Sequence, residues 1–199
     1  MRLHDYVVIN ESGDFSQSEM WSESNAEITQ AIQSIVWPPG SDRFVIPPIK
    51  HGSGVVPIKE GFQVVLEGFG WATEVWISLV GDVRPGPVDA VKTLDDESRF
   101  LAEWETGNIS SSHRSVNRML SAIGSGFAVG GAIVVARYET LYPLLTDRIG
   151  NDRELMPYFD LWSSYPLRRG LLGMYVVDYD GVDAEVAPIP KGTDGRALV

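Results

Sequence analysis

Three acidic residues near the ends of two predicted strands have the types and spacing most suited to chemistry. Glu103 and Glu105 stand two positions apart, and Asp89 lies in the strand before them. Side chains two residues apart in a strand project from one face about 6.5 to 7 Å apart. The two glutamates should therefore point together, with Trp104 turned into the core and Asp89 beside them if the strands pair. Because gathered carboxylates repel unless a hard cation with oxygen ligands neutralises them, the pattern predicts a magnesium site.

A bare Glu-x-Glu pair also fits other structures. It is commonly the solvated face of an edge strand, and it could supply the acid and base of an inverting glycosidase, whose carboxyl groups lie about 6.5 to 9.5 Å apart. A glycosidase would act without metal in a cleft lined by aromatic side chains. The residues after the pair favour the metal site, because a turn at Gly107 and the hydrogen-bonding run Asn108 to Ser112 lead into a helix that carries Arg114.

Hydrophobic patterning predicts the elements that must position these acids. Strands are predicted at residues 6–9, 73–80, 87–93, 100–105, 129–136 and 171–178. Helices are predicted at residues 26–36, 58–69, 113–123 and 138–145, and residues 10–25 read as a surface loop. Strands interleaved with helices indicate an α/β fold with a central mixed β-sheet flanked by helices.

Length and composition narrow the class of protein. A chain of 199 residues that is 44% hydrophobic fits a single domain, 1–199, with an acidic N-terminal segment, 1–26, and a C-terminal arm at about 186–199. The sequence has no cysteine, no apolar run near the ~20 residues of a membrane span and no signal peptide at its start. We expect a cytoplasmic protein without a membrane partner.

The net charge of −11 at first argues against nucleic acid, because phosphate binding depends on Lys and Arg. The acids are concentrated, however, with six in residues 5–27 and four in residues 178–185, where no Lys or Arg occurs. Residues 43–59 and 108–126 carry basic side chains without an acid. A DNA-binding surface is therefore predicted from Arg43, Lys50, Lys59, Arg114 and Arg118.

The order of the acids resembles a known nuclease core. An Asp followed by Glu-x-Glu on the next strand is similar to the PD-(D/E)xK nucleases, and the sequence around it, EWETGNISSSHRSVNRM, resembles the BamHI family of type II restriction endonucleases. Further segments agree in order over roughly residues 27–196: WPPG, GVVPIKE, PGPVDAVK, YPLLTDRIGNDRELMPYF and IPKGTDGR. The resemblance implies a restriction endonuclease-like fold and Mg²⁺-dependent hydrolysis of phosphodiester bonds in double-stranded DNA.

The resemblance also implies a role for each acid. Asp89 and Glu103 would bind the metal, with two Mg²⁺ per active site, assisted by Glu74 and the main-chain carbonyl of Trp104. Glu105 takes the place of the family's usual Lys and would act as general base toward the attacking water. Metal ions would activate this water, orient the phosphate and offset charge on the leaving oxygen.

Polar residues beyond the acids have the chemistry to read bases. Arg148 can bond guanine O6 and N7 while Asp147 accepts from cytosine N4, although an Asp-Arg dipeptide is more commonly a surface ion pair. Asn108 suits an A·T pair, because its amide both donates and accepts. By resemblance, the set of residues close to DNA is Lys59, Asn108, Ser110, Arg114, Asp147, Arg148, Asp194 and Arg196, the last two in an arm near the minor groove.

The resemblance implies a palindromic site, 5′-GGATCC-3′, cut after the first G to leave a four-base 5′ overhang. A palindrome read by one small domain calls for a homodimer in which each copy cuts one strand. A cognate methyltransferase is expected in the same system, though not as a physical partner. The alternative is a sequence-specific DNA-binding protein that has lost cleavage, but the acids that cleavage needs are all present.

Overall fold

The computed structural model describes residues 1–77, 86–105 and 107–192. Its strands are β1 (Arg2–Ser12), β2 (Val45–Ile46), β3 (Ala72–Trp76), β4 (Pro87–Thr93), β5 (Arg99–Trp104), β6 (Gly130–Ala136), β7 (Gly170–Asp178) and β8 (Gly181–Val182). Its α-helices are α1 (Glu19–Gln33), α2 (Val56–Gly68), α3 (Ile109–Gly124), α4 (Asp152–Leu155) and α5 (Phe159–Ser163), with short 3₁₀ turns at Phe15–Gln17, Tyr142–Leu144 and Met156–Tyr158.

The main sheet is mixed, as predicted, and has the strand order β1-β7-β6-β5-β4-β3. Its centre is parallel, because β5 pairs with β6 and β6 with β7 in the same direction. The outer pairs, β1 with β7, β5 with β4 and β4 with β3, are antiparallel. Because the carboxyl ends of parallel strands meet at one edge of a sheet, the end of β5 opens onto the edge where ligands commonly bind in α/β proteins.

Helices cover both faces of this sheet. Buried residues of α1 and α2, including Ile28 and Phe62, join one apolar cluster, and those of α3 and α5, including Leu120 and Trp162, join another. Every residue of β6 and β7 is buried between the two layers. A strand covered on both faces has an unbroken run of apolar residues in its sequence. The strand β6 was predicted from such a run.

Some predicted boundaries were wrong. The segment predicted as a loop at 10–25 contains the end of β1 and the first turns of α1, which begins at Glu19 because the Ser18 side chain accepts a hydrogen bond from the main-chain nitrogen of Trp21. The helix predicted at 138–145 is only a 3₁₀ turn, since Pro143 has no N–H to donate. The strand predicted at 73–80 ends at Trp76, and residues 78–80 lie outside the described ranges.

No helix in the described ranges is both long enough and apolar enough to span a lipid bilayer.

Candidate active site

Asp89 lies against the main-chain nitrogen of Trp104, the residue between the two glutamates. Strands β4 and β5 are paired as far as Ala90 and Ala102. Beyond this pair, Asp89 Oδ2 accepts a hydrogen bond of 2.9 Å from the Trp104 nitrogen. Asp89, Glu103 and Glu105 are all buried, with 5%, 6% and 5% of their surface exposed. The structure thus gathers the three predicted catalytic acids at the carboxyl end of β5.

Lys59 on α2 joins Asp89 to Glu74. Its Nζ lies 2.7 Å from Asp89 Oδ1 and 3.1 Å from Glu74 Oε1. Gln63, one turn later, donates to Glu74 Oε1 at 2.8 Å and to the Asp89 carbonyl at 3.1 Å. Lys59 was predicted to lie close to DNA, and in this structure it neutralises two of the predicted metal ligands.

Glu74 adopts a backbone conformation that is rare for a residue with a side chain. Its φ is +50°, in the left-handed region, and such strained residues concentrate at functional sites. Partial burial acts to raise its pKa, but the hydrogen bonds from Gln63 and Lys59 outweigh this effect and lower the pKa. Glu74 is therefore held as a carboxylate facing Lys59 at the margin of the acidic site.

Arg118 on α3 is the partner of Glu103. Its Nη2 forms an ion pair with Glu103 Oε1, while Nη1 donates to the carbonyls of Gly86 and Pro87 at 3.0 and 3.2 Å. Arg118 was predicted to lie on a DNA-binding surface, but in the structure its side chain points inward to Glu103. The signal that could have shown this is its spacing, because Ser112, Ser115 and Arg118 follow each other at intervals of three, which puts them on one helical face.

Their surroundings shift the pKa values of Glu105 and Asp89. Burial raises the pKa of Glu105, the nearby hydroxyls of Ser115 and Ser112 oppose this, and the charge of Asp89 raises it further. Burial likewise raises the pKa of Asp89, against the opposing effects of Lys59 and the Trp104 N–H. Both carboxyl groups therefore hold a proton more strongly than they would in water, as expected for buried acids whose negative charge is only partly neutralised.

The donor set suits a hard divalent cation. Asp89, Glu103 and Glu105 offer buried carboxylate oxygens, while the cationic side chains that contact them are Lys59 and Arg118. Within the described ranges, no three acidic or histidine side chains are already arranged around a common point as a metal cage. Lys59 and Arg118 each contact a carboxylate oxygen that a metal ion would need.

The predicted base-reading residues border the acidic site. Asn108 caps α3, and its Oδ1 accepts from the nitrogen and the hydroxyl of Ser110 at 3.1 and 2.9 Å. The loop that carries Asp147 and Arg148 lies alongside, because the nitrogen of Ile109 donates to the Arg148 carbonyl at 2.9 Å. The first turn of α3 and this loop therefore form one continuous surface next to Glu105.

Asp147, Arg148, Ser110 and Arg114 are exposed on that surface. The Asp147 carboxylate accepts from the Tyr142 hydroxyl at 3.0 Å and from the Arg148 nitrogen at 2.9 Å, and the hydrogen bond from Tyr142 is the main cause of its lowered pKa. Arg148 has a φ of +67°. The other two residues predicted near DNA, Asp194 and Arg196, lie outside the described ranges.

Comparison with known proteins decides the family. The family model described as "Restriction endonuclease BamHI" matches residues 1–196. The chain belongs to the BamHI family. Within this family, the type II restriction enzyme OkrAI of Oceanobacter kriegii is 45% identical over 172 residues, which cover 86% of this chain and 88% of that enzyme. The type II restriction enzyme BamHI of Bacillus amyloliquefaciens is 35% identical over 189 residues, covering 92% and 86%.

A solved structure agrees with the fold. The crystal structure of the restriction endonuclease BglII complexed with a DNA 16-mer superposes with a TM-score of 0.61 at 9% identity, over 90% of this chain and 79% of that one. The predicted restriction endonuclease-like fold is confirmed. Membership of the BamHI family also confirms the prediction of a type II site-specific deoxyribonuclease. The family implies a divalent metal cofactor in general, and the glycosidase alternative is wrong.

Proposed function

We propose that this enzyme binds double-stranded DNA at the palindrome 5′-GGATCC-3′ and hydrolyses it after the first G, leaving a four-base 5′ overhang. The observation that carries the proposal is the burial of Asp89, Glu103 and Glu105 together at the end of β5. The exposed surface that holds Asn108 and Asp147 borders this acidic site.

Asp89 and Glu103 would hold Mg²⁺, two ions per active site, with Glu74 and the Trp104 carbonyl as further ligands. When bound, the metal polarises the phosphate and favours hydroxide over water as the nucleophile. Glu105 would orient the attacking water and accept its proton. A raised pKa suits this role, because a carboxylate that binds protons more strongly is a better base.

Base reading would fall to the surface beside the acids. Arg148 and Asp147 would recognise a G·C pair, Asn108 an A·T pair, and Arg114 a guanine. Ser110 and Lys59 would contact bases or phosphates, and Asp194 and Arg196 would belong to an arm near the minor groove. The hydrogen bond between Ile109 and Arg148 supports the proposal, because it keeps two separate stretches of the chain on one surface.

The palindrome requires a homodimer, and one surface offers apolar area for it. Met156, Tyr158, Leu161 and Tyr165 are exposed close together in the chain, on and beside α5. Exposed apolar patches of this kind commonly mark protein interfaces. The proposal includes a cytoplasmic location, where the enzyme meets DNA, and a cognate methyltransferase that protects host DNA without binding the enzyme.

Digestion of a DNA of known sequence, followed by sequencing of the new ends, tests the proposal. With Mg²⁺, cuts should fall only at GGATCC with a four-base 5′ overhang, and EDTA should abolish them. Cuts at another sequence would overturn the proposed site, and cleavage in EDTA would overturn the metal dependence. Binding of the same DNA without any cleavage would favour the alternative of a binding protein.

A further inference from the structure

Two cationic side chains occupy oxygens that a metal ion would need. Lys59 Nζ forms an ion pair with Asp89 Oδ1, and the other oxygen of that carboxylate accepts a hydrogen bond from the Trp104 nitrogen. Arg118 Nη2 forms an ion pair with Glu103 Oε1. Asp89 and Glu103 are thus each paired with one of the protein's own cations, one from the helix on each face of the sheet.

Arg118 is held differently from Lys59. Its Nη1 donates to the carbonyls of Gly86 and Pro87, at the start of β4, while Nη2 alone reaches Glu103. The guanidinium is anchored by one nitrogen and can release the other without leaving its place. Its side chain is only 8% exposed, so its charge needs a partner whenever a metal is absent.

A divalent cation bound to Glu103 would weaken the ion pair between Glu103 and Arg118. Two positive groups on one carboxylate repel each other strongly where water is largely excluded. The pair between Arg118 and Glu103 should therefore weaken when metal binds, and metal must compete with Arg118 for Glu103.

We propose that Arg118 is a positioning residue that holds Glu103 in the metal-free enzyme and withdraws Nη2 when a divalent cation binds. The inference rests on the proposed function, because it takes Glu103 as a metal ligand. As a consequence, the enzyme without DNA binds metal weakly, since part of the metal's binding free energy is used to displace Arg118 Nη2 from Glu103.

Calorimetric titration with Mn²⁺ in the absence of DNA tests this competition. Arg118→Gln removes the charge and shortens the side chain while keeping a polar end, so it should bind Mn²⁺ about tenfold more tightly than wild type. The matched control is Arg99→Gln, which removes the same charge at the opposite end of β5, where Arg99 lies over the Phe127 ring at 4.7 Å. It should bind Mn²⁺ as wild type does.

The outcomes separate the two proposals. If wild type binds Mn²⁺ and Arg118→Gln binds it no more tightly than Arg99→Gln, the competition is wrong while the metal-dependent function stands. If neither wild type nor Arg118→Gln binds Mn²⁺, the competition is wrong, and the digestion with Mg²⁺ and with EDTA decides the metal-dependent function separately. Arg118→Lys, which restores the charge, should return the affinity toward that of wild type, a result that a merely structural role would not produce.

A second measurement covers the case in which Arg118→Gln does not fold. In the wild-type protein, the Nε–Hε NMR signal of Arg118, assigned by its loss in Arg118→Lys, should shift on titration with Mg²⁺. The shift should saturate at the Mg²⁺ concentration that saturates binding. A signal that stays unchanged while Mg²⁺ binds would overturn the inference.

Discussion

Glu105 is the residue on which the proposed chemistry can be tested most directly. Glu105→Ala should reduce cleavage of GGATCC by about 10²- to 10⁴-fold, the usual contribution of a general base, while DNA binding survives. Glu103→Ala should abolish cleavage, because it removes a proposed metal ligand. Gel-shift and single-turnover cleavage assays measure the two effects.

Glu11→Ala is the control for these variants, since it removes an exposed acid on β1. It should cut and bind as wild type does. Retention of full cleavage by Glu105→Ala would show that the attacking water does not depend on this carboxylate.

The raised pKa of Glu105 predicts how stability changes with pH in EDTA. A carboxyl group with a higher pKa in the folded than in the unfolded state binds its proton more tightly when folded. The free energy of unfolding should therefore fall as pH rises through the ordinary carboxyl range to the raised pKa, and then level off. Glu105→Gln cannot titrate and should show a smaller fall, measured by urea unfolding between about pH 4 and pH 8. Parallel curves for the two proteins would contradict the assignment.

The loop before α4 packs on the acidic site through a glycine. A Cβ on Gly150 would lie 2.4 Å from Ser112 Oγ and 2.9 Å from Glu105 Cβ, both too close for real contacts. Gly150→Ala should therefore push the loop that carries Asp147 and Arg148 away from α3. We expect a loss of about 1 to 3 kcal/mol in stability and a reduced cleavage rate, measured by thermal unfolding and DNA digestion.

Gly68→Ala provides the comparison, because a Cβ there meets nothing within 4 Å at the end of α2. It should leave stability unchanged or raise it, since Ala favours helix. If Gly150→Ala behaves like Gly68→Ala, the loop does not depend on this close approach.

Elements could be predicted where a local pattern decided them. The strand predicted at 87–93 agrees with β4, and the apolar run at 129–136 agrees with β6 to within a residue. The start of α1 was missed, because a Ser- and acid-rich stretch resembles a loop until its cap is seen. The predicted helix at 138–145 failed for the opposite reason, since apolar spacing outweighed Pro143 in the prediction.

The molecule as a whole should act as a dimer. Leu161 on α5 and Val64 on α2 are equally exposed, at 65% each, and so form a matched pair. Leu161→Glu should shift the protein toward monomer and slow cleavage of both strands, because it places a charge in the proposed interface. Val64→Glu should leave assembly unchanged. Sedimentation equilibrium measures the mass of each variant, and an unchanged mass for Leu161→Glu would place the interface elsewhere.

The distribution of charge also belongs to the whole molecule. The basic residues predicted to form a DNA-binding surface separate in the structure, since Lys59 and Arg118 contact acids while Arg114 is exposed on α3. A net charge of −11 therefore does not exclude a local surface for DNA. That residues 1–199 form one domain stays a prediction.

The sequence by itself determined the acids, the family and most of the strands, because these depend on residue types, their order and their local spacing. Only the tertiary structure decided which cations neutralise which acids. Lys59 meets Asp89, and Arg118 meets Glu103, between a helix and a strand rather than within one element. Such contacts depend on how α2 and α3 pack on the two faces of the sheet, and no local pattern of residues encodes that packing.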